Sequence, residues 1–335
     1  MEEFAAACGI SRPTVSKYFN DPSSVRVTTR KRIEAALEHY DYFPNQFAIN
    51  QNRQKTKNVG IVVPYLADPI FGEIARNLER CCIDAGFRAT LFSAHGEQAL
   101  EIDALDRLKQ LRPSGVLLLP LGRLSDHDAL ERFCLDVPTV LFDRNMQGIG
   151  AAFVGSDDES FVTQSVEYLV RSGEPPCFFE MENPVPPHSL VRRNTYQKAM
   201  RSLGHEPMMI QVEGDDWSFE QIGYNGAINA LENDLLQSNT VLCSNDRLAI
   251  GFLAACYEKG VRVGRSPDCT LRVAGHDDHP SSRFTGPALT TVGHDYNTVV
   301  NAGINTLFEL IENGGAFSSR VETIFPAKLV LRESA

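Results

Sequence analysis

Residues 9–17 have the sequence GISRPTVSK, which predicts a tight turn between two short helices. Gly9 supplies the positive φ that ends the first helix. The Ser11 oxygen can accept a hydrogen bond from the free N–H groups that begin the second helix, and Pro13 is tolerated there because those groups have no helical partner. Two short helices at a fixed angle, the second with a polar N-terminal face, are typical of a helix-turn-helix that contacts DNA.

Charge is divided unevenly along the chain. Residues 1–57 hold nine Lys and Arg against six Asp and Glu, a net charge of +3, whereas the remaining residues hold 23 against 37, a net charge of −14. The whole chain has a net charge of −11, which argues against a general nucleic-acid binder. We therefore expect any contact with DNA to lie in the small basic N-terminal part.

Composition indicates a globular protein of two or three domains, with 335 residues, 43% hydrophobic and 22% charged. The sequence has no apolar run of 18 residues and no signal peptide, so we expect a cytoplasmic location and no membrane partner. The eight cysteines show no C-x-x-C pairing and are interpreted as reduced core thiols.

The first 57 residues are predicted to form three short helices followed by a hinge. The third helix has apolar residues at every third or fourth position from Ile33 to Tyr40, and Pro44 ends it. Residues 45–57 are rich in Asn, Gln and Lys, which is typical of a linker or of a helix that forms only against a partner.

From Val59 onward, short apolar runs alternate with amphipathic helical stretches, as in parallel sheets covered by helices on both faces. About 270 residues exceed one α/β core, so two lobes are expected. The predicted strands are Val59–Val63, Ala89–Phe92, Val116–Leu119, Thr139–Phe142, Cys177–Phe179, Met208–Val212, Thr240–Cys243, Thr270–Ala274 and Leu289–Val292. The predicted helices lie near 70–85, 98–111, 127–135, 158–171, 189–203, 218–235, 246–259 and 295–312.

Polar or charged side chains follow five predicted strands, at the sheet edge where doubly wound folds bind ligands. They are Asp68, Asp143, Arg144, Asn245, Asp277 and His294. Carboxylates, Arg and Asn can make paired hydrogen bonds to vicinal hydroxyl groups of a sugar. Phe71 and Trp217 can cover the C–H faces of a sugar ring, and Arg192 follows another strand.

Other reaction and metal motifs are weak or missing in this sequence. Residues 276–279 are His-Asp-Asp-His, but neighbouring residues on one strand-to-loop turn rarely converge on one ion, so no metal site is predicted. There is no P-loop and no G-x-S-x-G motif. We therefore predict a binding protein that is not an enzyme and has no cofactor.

Over essentially its whole length, the chain resembles the lactose-repressor (LacI/GalR) family of bacterial transcription regulators. The motifs that carry the resemblance are Phe4–Ser11 with Thr14-Val15-Ser16 and Asn20, Thr29-Arg30-x-Arg32-Ile33, Tyr42-x-Pro44-Asn45, Val59–Pro64, Asp143-Arg144, Ser244-Asn245-Asp246, Gly275–Asp278 and Leu289–Val292. The resemblance implies an all-α helix-turn-helix head and an α/β, two-lobed, periplasmic-binding-protein-like body with two doubly wound parallel sheets.

The resemblance also implies the division of the chain. The implied domains are a DNA-binding domain at 1–44, a hinge at 45–57 and an effector-binding and dimerisation domain at 58–335. The N-terminal lobe of this last domain would comprise about 58–157 and 293–324, and the C-terminal lobe about 158–292 and 325–335. Three chain crossings, near residues 157, 293 and 325, would join the lobes.

For the head, the resemblance implies a set of DNA-binding residues. They are Arg12, Pro13, Thr14, Ser16, Lys17, Asn20, Thr29, Arg30, Asn45, Ala48 and Gln51. By this resemblance, base-reading positions are held by Arg12, Pro13 and Lys17, and phosphate contacts are expected from Thr14, Ser16, Asn20, Thr29 and Arg30. Arg12 is the candidate for a guanine edge, whereas Pro13 can offer only apolar contact, for instance to a thymine methyl group. Gln51 stands where the family has a Leu that wedges into the minor groove, so either Phe47 or Ile49 substitutes or the operator is bent less.

Two further departures from the family pattern concern the helices of the head. Arg26 stands where a helix-capping Ser is usual, so the third helix could start elsewhere. Met1 leaves the first helix without the usual few residues before it, so we expect the true start to lie upstream or the start to be short.

For the body, the resemblance implies an effector pocket formed by Asp68, Phe71, Asp143, Arg144, Arg192, Trp217, Asn245, Asp277 and His294. The pattern is similar to the ribose-type branch, which implies a monosaccharide or polyol, with purines and nucleosides left open. The implied function is repression of a sugar uptake or catabolism operon by an effector-responsive homodimer on a palindromic operator. The alternative is a sugar-binding sensor with weak or lost DNA binding.

Overall fold

The chain forms two compact units, Met1–Thr56 and Lys57–Ala335, in a computed structural model. The structure describes residues 1–20, 22–40, 56–185 and 188–335, without the side chain of Asn20. The predicted DNA contacts Asn45, Ala48 and Gln51 lie outside the described residues, as does most of the predicted hinge.

The first unit contains the three predicted helices: α1 (Glu2–Cys8), α2 (Arg12–Asn20) and α3 (Val27–His39). They pack around a small apolar core that includes Phe4, Val15 and Ile33. The chain leaves α1 through a left-handed residue, Gly9, with φ 59°. This conformation is available to glycine at little steric cost, so the turn predicted from GISRPTVSK is confirmed.

The hydrogen bonds at the ends of these helices differ from those that the sequence predicted. The Ser11 hydroxyl lies 2.8 Å from the Thr14 hydroxyl, so it pairs with a side chain where a bond to backbone N–H was expected. The Arg32 guanidinium donates to the carbonyls of Cys8 and Gly9, at 3.0 and 3.3 Å, and so caps the end of α1. Arg26 precedes α3 without a side-chain cap.

A six-stranded parallel sheet forms the first lobe of the body, which we call the N-terminal lobe. Its strands are β1 (Asn58–Val63), β2 (Arg88–Ser93), β3 (Gly115–Leu118), β4 (Thr139–Asp143), β5 (Ala152–Ser156) and β11 (Val321–Phe325), in the order β11-β5-β4-β3-β1-β2. Its helices are α4 (Pro69–Asp84), α5 (Gln98–Leu111), α6 (His127–Asp136) and α11 (Tyr296–Glu312). Apolar side chains from both faces of the sheet are buried beneath these helices.

The second lobe, the C-terminal lobe, is built on a four-stranded parallel sheet. Its strands are β6 (Cys177–Met181), β7 (Met208–Val212), β8 (Thr240–Cys243) and β9 (Arg272–Ala274), in the order β7-β6-β8-β9. An antiparallel pair, β10 (Thr291–Gly293) with β12 (Lys328–Val330), adjoins β9 through one bridge between Ala274 and Thr290. The helices are α7 (Asp158–Ser172), α8 (Ser189–Ser202), α9 (Phe219–Glu232) and α10 (Asp246–Glu258).

The chain passes between the lobes three times, after β5, after β10 and after β11. Consequently the carboxyl ends of both sheets face the boundary between the lobes, where the polar strand-end residues also lie. The fold class predicted for head and body is confirmed. No helix in the described ranges is long and apolar enough to span a membrane.

All eight predicted helices of the body are present, each within three residues of its expected ends. Three strands were not predicted. β5 is a short run that contains Gly155, β12 has only three residues, and β11 is an edge strand with three of its five residues exposed. A half-exposed edge strand has no continuous apolar run, so its pattern is weak.

Two glycines let α9 and α10 approach at backbone contact. A Cβ added to Gly251 would lie 2.0 Å from the Glu220 carbonyl oxygen, and one added to Gly223 would lie 2.3 Å from the Leu248 carbonyl oxygen. Backbone atoms cannot move aside as a flexible side chain can. The two helices would therefore have to separate to accept any side chain at these positions.

We predict that Gly251→Ala lowers the free energy of unfolding of the body by about 1–3 kcal/mol, because it overpacks this contact. Gly72→Ala is the matched control. It is also helical, its Cβ would make only an ordinary contact at 3.4 Å, and it should gain about 1 kcal/mol of helix propensity. Urea unfolding followed by circular dichroism measures both. Equal midpoints for the two variants would contradict the assigned contact.

Candidate functional site

The second helix of the head presents most of the predicted base-reading residues to solvent. Arg12, Pro13 and Lys17 are exposed, while Val15 between them is buried in the core. Arg12 lies 3.3 Å from Glu2, and both side chains are mostly exposed. Such an exposed pair contributes at most about 1 kcal/mol, so Arg12 can readily exchange its partner.

The predicted phosphate contacts of the head are less exposed. Thr14, Ser16, Thr29 and Arg30 are all half-buried. The Arg30 Nε has no hydrogen-bond partner among the described residues and is buried. Of the cations predicted to contact DNA, Arg12 and Lys17 are therefore exposed and Arg30 is half-buried.

In the body, a cavity lies between the carboxyl ends of the two sheets. Its volume is about 70 Å³, more than the roughly 10–15 Å³ that one water needs. The lining residues predicted from the sequence are Asp68, Phe71, Asp143, Arg192, Trp217, Asn245, Asp277 and His294.

Helix starts and unusual backbone angles orient several of these side chains. Asp68 begins α4 and accepts a hydrogen bond from the Ile70 N–H at 3.0 Å, and Asn245 begins α10 and accepts from the Leu248 N–H at 2.8 Å. Asp143 and Asp277, at the ends of β4 and β9, have φ values of 67° and 111°. Such conformations are unfavourable for residues other than glycine, and they cluster at functional sites.

One predicted pocket residue, Arg144, is not among those that line the cavity. Its guanidinium instead lies 3.6 Å from an Asp158 carboxylate oxygen, with the side chain about a quarter exposed. Sequence reasoning missed ten lining residues: Ile70, Ser156, Asp158, Phe161, His188, Ser189, Phe219, Ser244, Arg247 and Tyr296. Arg247 directly follows the Ser244-Asn245-Asp246 motif, so its position could have been predicted from that motif. His188 does not follow the end of a predicted strand, so the sequence contains no such signal for it.

His188 bridges two carboxylates that belong to different lobes. Its Nε2 lies 2.9 Å from Asp143 of the N-terminal lobe, and its Nδ1 lies 2.6 Å from Asp158 of the C-terminal lobe. Burial alone would lower its pKa, but the two carboxylates raise the pKa to about 10. The same imidazolium lowers the pKa of Asp143 and of Asp158 against the effect of their burial. His188 is therefore a cation at neutral pH that joins the lobes.

Arg247 forms a second bridge across the cavity. It donates to Asp68 of the N-terminal lobe at 3.0 Å, and through two other nitrogens to Glu220 of its own lobe at 2.7 and 2.6 Å. The guanidinium also lies over the Phe219 ring, 4.8 Å from its centroid. Bidentate pairing with Glu220 orients Arg247 toward the opposite lobe.

A third ion pair lies within the C-terminal lobe. Arg192 is buried, pairs with Asp277 and donates to the Ser244 carbonyl at 2.7 Å. The pKa of Asp277 is raised by its burial despite this partner. The Tyr296 hydroxyl, from the N-terminal lobe, donates to the Asp277 carbonyl at 3.1 Å. Asp277 therefore contacts its own lobe through its carboxylate and the N-terminal lobe through its backbone carbonyl.

Trp217 closes the cavity from the C-terminal lobe against aromatic residues of the N-terminal lobe. Its ring stacks on Tyr65, with centroids 4.8 Å apart, and meets Phe71 edge-on at 6.1 Å. Gly96 makes room for it, because a Cβ there would lie 2.6 Å from the Trp217 Nε1. Since the chain contains one tryptophan, its fluorescence reports on this contact alone.

Asp246 holds the loops behind the cavity in place. Its carboxylate accepts hydrogen bonds from the Thr291 and Ser282 hydroxyls, at 2.7 and 2.6 Å, and from the His279 N–H at 2.8 Å. It is fully buried, and burial raises its pKa to about 8. These bonds tie the start of α10 to the segments around β10, so Asp246 positions the site without lining it.

We predict that the His188 bridge makes lobe closure pH-dependent. The folded pKa of His188 lies above its unfolded value of 6.5, so its stabilisation is complete below about pH 6.5 and is lost as the pH rises through about 10. His188→Gln removes it. The thermal midpoint of the native chain should therefore exceed that of His188→Gln at pH 6.5, with the difference shrinking toward pH 10. His127→Gln, at an exposed histidine, is the control. A difference that stays constant or grows with pH would contradict the bridge.

The comparisons with known proteins cover both units. Residues 1–45 match the lacI family of bacterial regulatory proteins, and residues 166–335, about half of the chain, match the periplasmic binding protein-like domain. The ribose operon repressor of Escherichia coli (strain K12) is 26% identical over 320 residues, covering 93% of this chain and 92% of that protein. The HTH-type transcriptional repressor PurR of Histophilus somni (strain 129Pt) is 26% identical over 341 residues, covering 100% and 98%.

Among solved structures, the Lac repressor bound to ONPG in the repressed state superposes with a TM-score of 0.82 at 25% identity, covering 99% of this chain and 98% of that one. The matches follow one another in the order that the sequence motifs predicted, and they extend over head and body alike. The predicted resemblance is confirmed. The chain combines a domain of the lacI family of bacterial regulatory proteins at residues 1–45 with a periplasmic binding protein-like domain at residues 166–335, and its relatives are transcriptional repressors and not enzymes.

Proposed function

We propose that this chain is a cytoplasmic, homodimeric repressor whose effector is a monosaccharide or polyol bound in the cavity between the lobes. The observation that carries the proposal is the cavity itself. Both lobes contribute charged groups and aromatic rings to it, so a bound molecule would contact both lobes at once. Occupancy would therefore change how firmly the lobes are held together.

The chemistry of the lining favours a polyhydroxylated ligand. Carboxylates and the amide of Asn245 offer paired hydrogen bonds to neighbouring hydroxyl groups, and the rings of Phe71, Phe219 and Trp217 offer apolar faces. The name of the ribose operon repressor, a relative over most of its length, supports a sugar-linked target.

Control of DNA binding would follow from a difference in lobe arrangement. An effector shifts an equilibrium only as far as its affinities for the two arrangements differ. We infer that the heads, residues 1–44, receive the shift through the hinge at 45–57, and that the body at 58–335 supplies the dimer contacts. A structure of the Lac repressor dimer bound to operator supports a dimer on DNA, with 25% identity and a TM-score of 0.82.

Within the body, we propose lobe boundaries at the chain crossings. The proposed N-terminal lobe comprises about 58–157 and 293–324, and the C-terminal lobe about 158–292 and 325–335. The strand order supports this division, since β11 lies in the first sheet and β12 pairs with β10.

We predict that Arg12→Ala relaxes base preference at one position of each operator half-site, because the exposed guanidinium is the candidate for a guanine edge. Arg30→Ala should weaken binding to all sequences and reduce the salt slope by about one, as expected for a lost phosphate contact. Selection from a random DNA library, followed by anisotropy titrations at several salt concentrations, measures both. Arg107→Ala, an exposed cation of the body, is the control.

Two results would overturn this assignment. An unchanged base preference in Arg12→Ala would remove it from base reading. Failure of the native chain to select any sequence, while it still binds sugar, would instead support a sensor with weak or lost DNA binding.

We predict that one monosaccharide or polyol stabilises the native chain. A ligand at 100 times its Kd adds about 2.7 kcal/mol to the free energy of unfolding, which a thermal-shift screen detects. The screen includes nucleosides and purines as the competing class. Phe71→Ala should lose the response, because Phe71 supplies an apolar face of the cavity, whereas the exposed Leu135→Ala should keep it. A response to nucleosides alone would overturn the sugar assignment.

A further inference from the structure

The cationic groups of the cavity are already occupied by the protein. Arg247 uses its Nε and both terminal nitrogens on Glu220 and Asp68, and His188 uses both ring nitrogens on Asp143 and Asp158. Arg192 uses its two terminal nitrogens on Asp277 and the Ser244 carbonyl, and its Nε is buried. Each terminal guanidinium nitrogen carries a second N–H, but every cation of the lining already has a carboxylate partner.

The carboxylates, by contrast, keep unused acceptor atoms. Within the described part of the chain, one oxygen of Asp143, one of Asp158 and one of Asp277 accept no hydrogen bond, while the other oxygen of each is bonded to His188 or Arg192. None of these three oxygens is fully buried. The unused hydrogen-bonding capacity of these carboxylates therefore consists of anionic acceptors.

The charge balance points the same way. The cavity lining contains four carboxylates, Asp68, Asp143, Asp158 and Asp277, against three cations, Arg192, Arg247 and His188. Adding the adjacent Glu220 and Arg144, which pair with members of this set, gives five against four. Either count leaves one negative charge without a cation of its own.

Two of the free carboxylate oxygens belong to the His188 bridge. One imidazolium there serves two carboxylates, Asp143 and Asp158, and Arg144 lies at 3.6 Å outside the lining. Aromatic rings complete the surroundings, with Phe161, Tyr296 and Trp217 among the lining residues. Anionic acceptors beside aromatic faces form the environment that favours an ammonium group.

We propose that the effector carries a protonated amine, so that it is an amino sugar or an aminated polyol, with the amine at the free oxygens of Asp143 and Asp158. This inference rests on the proposed sugar effector. The ammonium supplies the charge that the cavity lacks and donates up to three hydrogen bonds, while the remaining hydroxyl groups meet Asp277 and Asn245. A phosphorylated sugar would add negative charge to a lining that already holds one carboxylate more than cations, and it is rejected.

The test compares ligands that differ at one group. Glucosamine is paired with glucose, galactosamine with galactose, mannosamine with mannose, and glucamine with sorbitol. The N-acetyl form of each amino sugar removes the charge, and glucose 6-phosphate represents the anions. Binding to the full chain is measured by calorimetry and by Trp217 fluorescence. In the pair that binds, we expect the amine to bind at least tenfold tighter than its hydroxyl counterpart and than its N-acetyl form.

The variant Asp158→Asn tests the location of the amine. It removes one charge but leaves the contact between His188 and Asp143, which joins the lobes. The ratio of amine to hydroxyl affinity should fall about tenfold in this variant. Asp157→Asn is the matched control, because Asp157 is the adjacent carboxylate, lies outside the lining and caps α7 through Ser160, as Asn can also do.

Each outcome is decisive. If a hydroxyl ligand binds as tightly as its amine, or if glucose 6-phosphate binds tighter, the amine proposal fails while the sugar effector stands. If the amine is preferred and Asp158→Asn leaves the ratio unchanged, the placement at Asp143 and Asp158 is wrong. If none of these compounds binds, both the amine proposal and the proposed sugar effector fail.

Discussion

Opposite charges paired across the boundary between the two lobes are the interaction on which the site depends. Asp143 and Asp68 stand at strand and helix ends of the N-terminal lobe, and each meets a cation of the other lobe, His188 and Arg247 respectively. If the lobes separated, His188 and Arg247 would keep partners in their own lobe, but the N-terminal carboxylates would lose theirs. The two ion pairs across the boundary therefore favour the closed arrangement of the lobes.

The topology places these charges where they can act. Three chain crossings connect two parallel sheets, so the carboxyl ends of both sheets face the boundary between the lobes. Polar residues that cap helices at these ends, such as Asp68 and Asn245, therefore line a cavity shared by both lobes. A ligand that adds contacts to both walls stabilises one lobe arrangement over another. In the proposed function, the basic head binds DNA and the acidic body binds the effector.

Sequence reasoning predicted the fold closely and the site in part. Every helix of the body was predicted, because amphipathic periodicity is local. Eight of the nine expected pocket residues line the cavity, since strand ends are readable from apolar runs. His188 was missed because its importance comes from Asp143 and Asp158, 45 and 30 residues away. Arg144 was expected in the lining from its place beside Asp143, but successive side chains at a strand end point to different sides.

We propose that occupancy of the cavity controls DNA binding. The most direct test measures the Kd for a selected operator with and without the tightest-binding ligand, in the native chain and in Asp277→Asn. We expect saturating ligand to change the operator Kd of the native chain at least tenfold. We expect Asp277→Asn to bind the operator without ligand as the native chain does, but to respond far less. A ligand that saturates the cavity and leaves the operator Kd unchanged would contradict it.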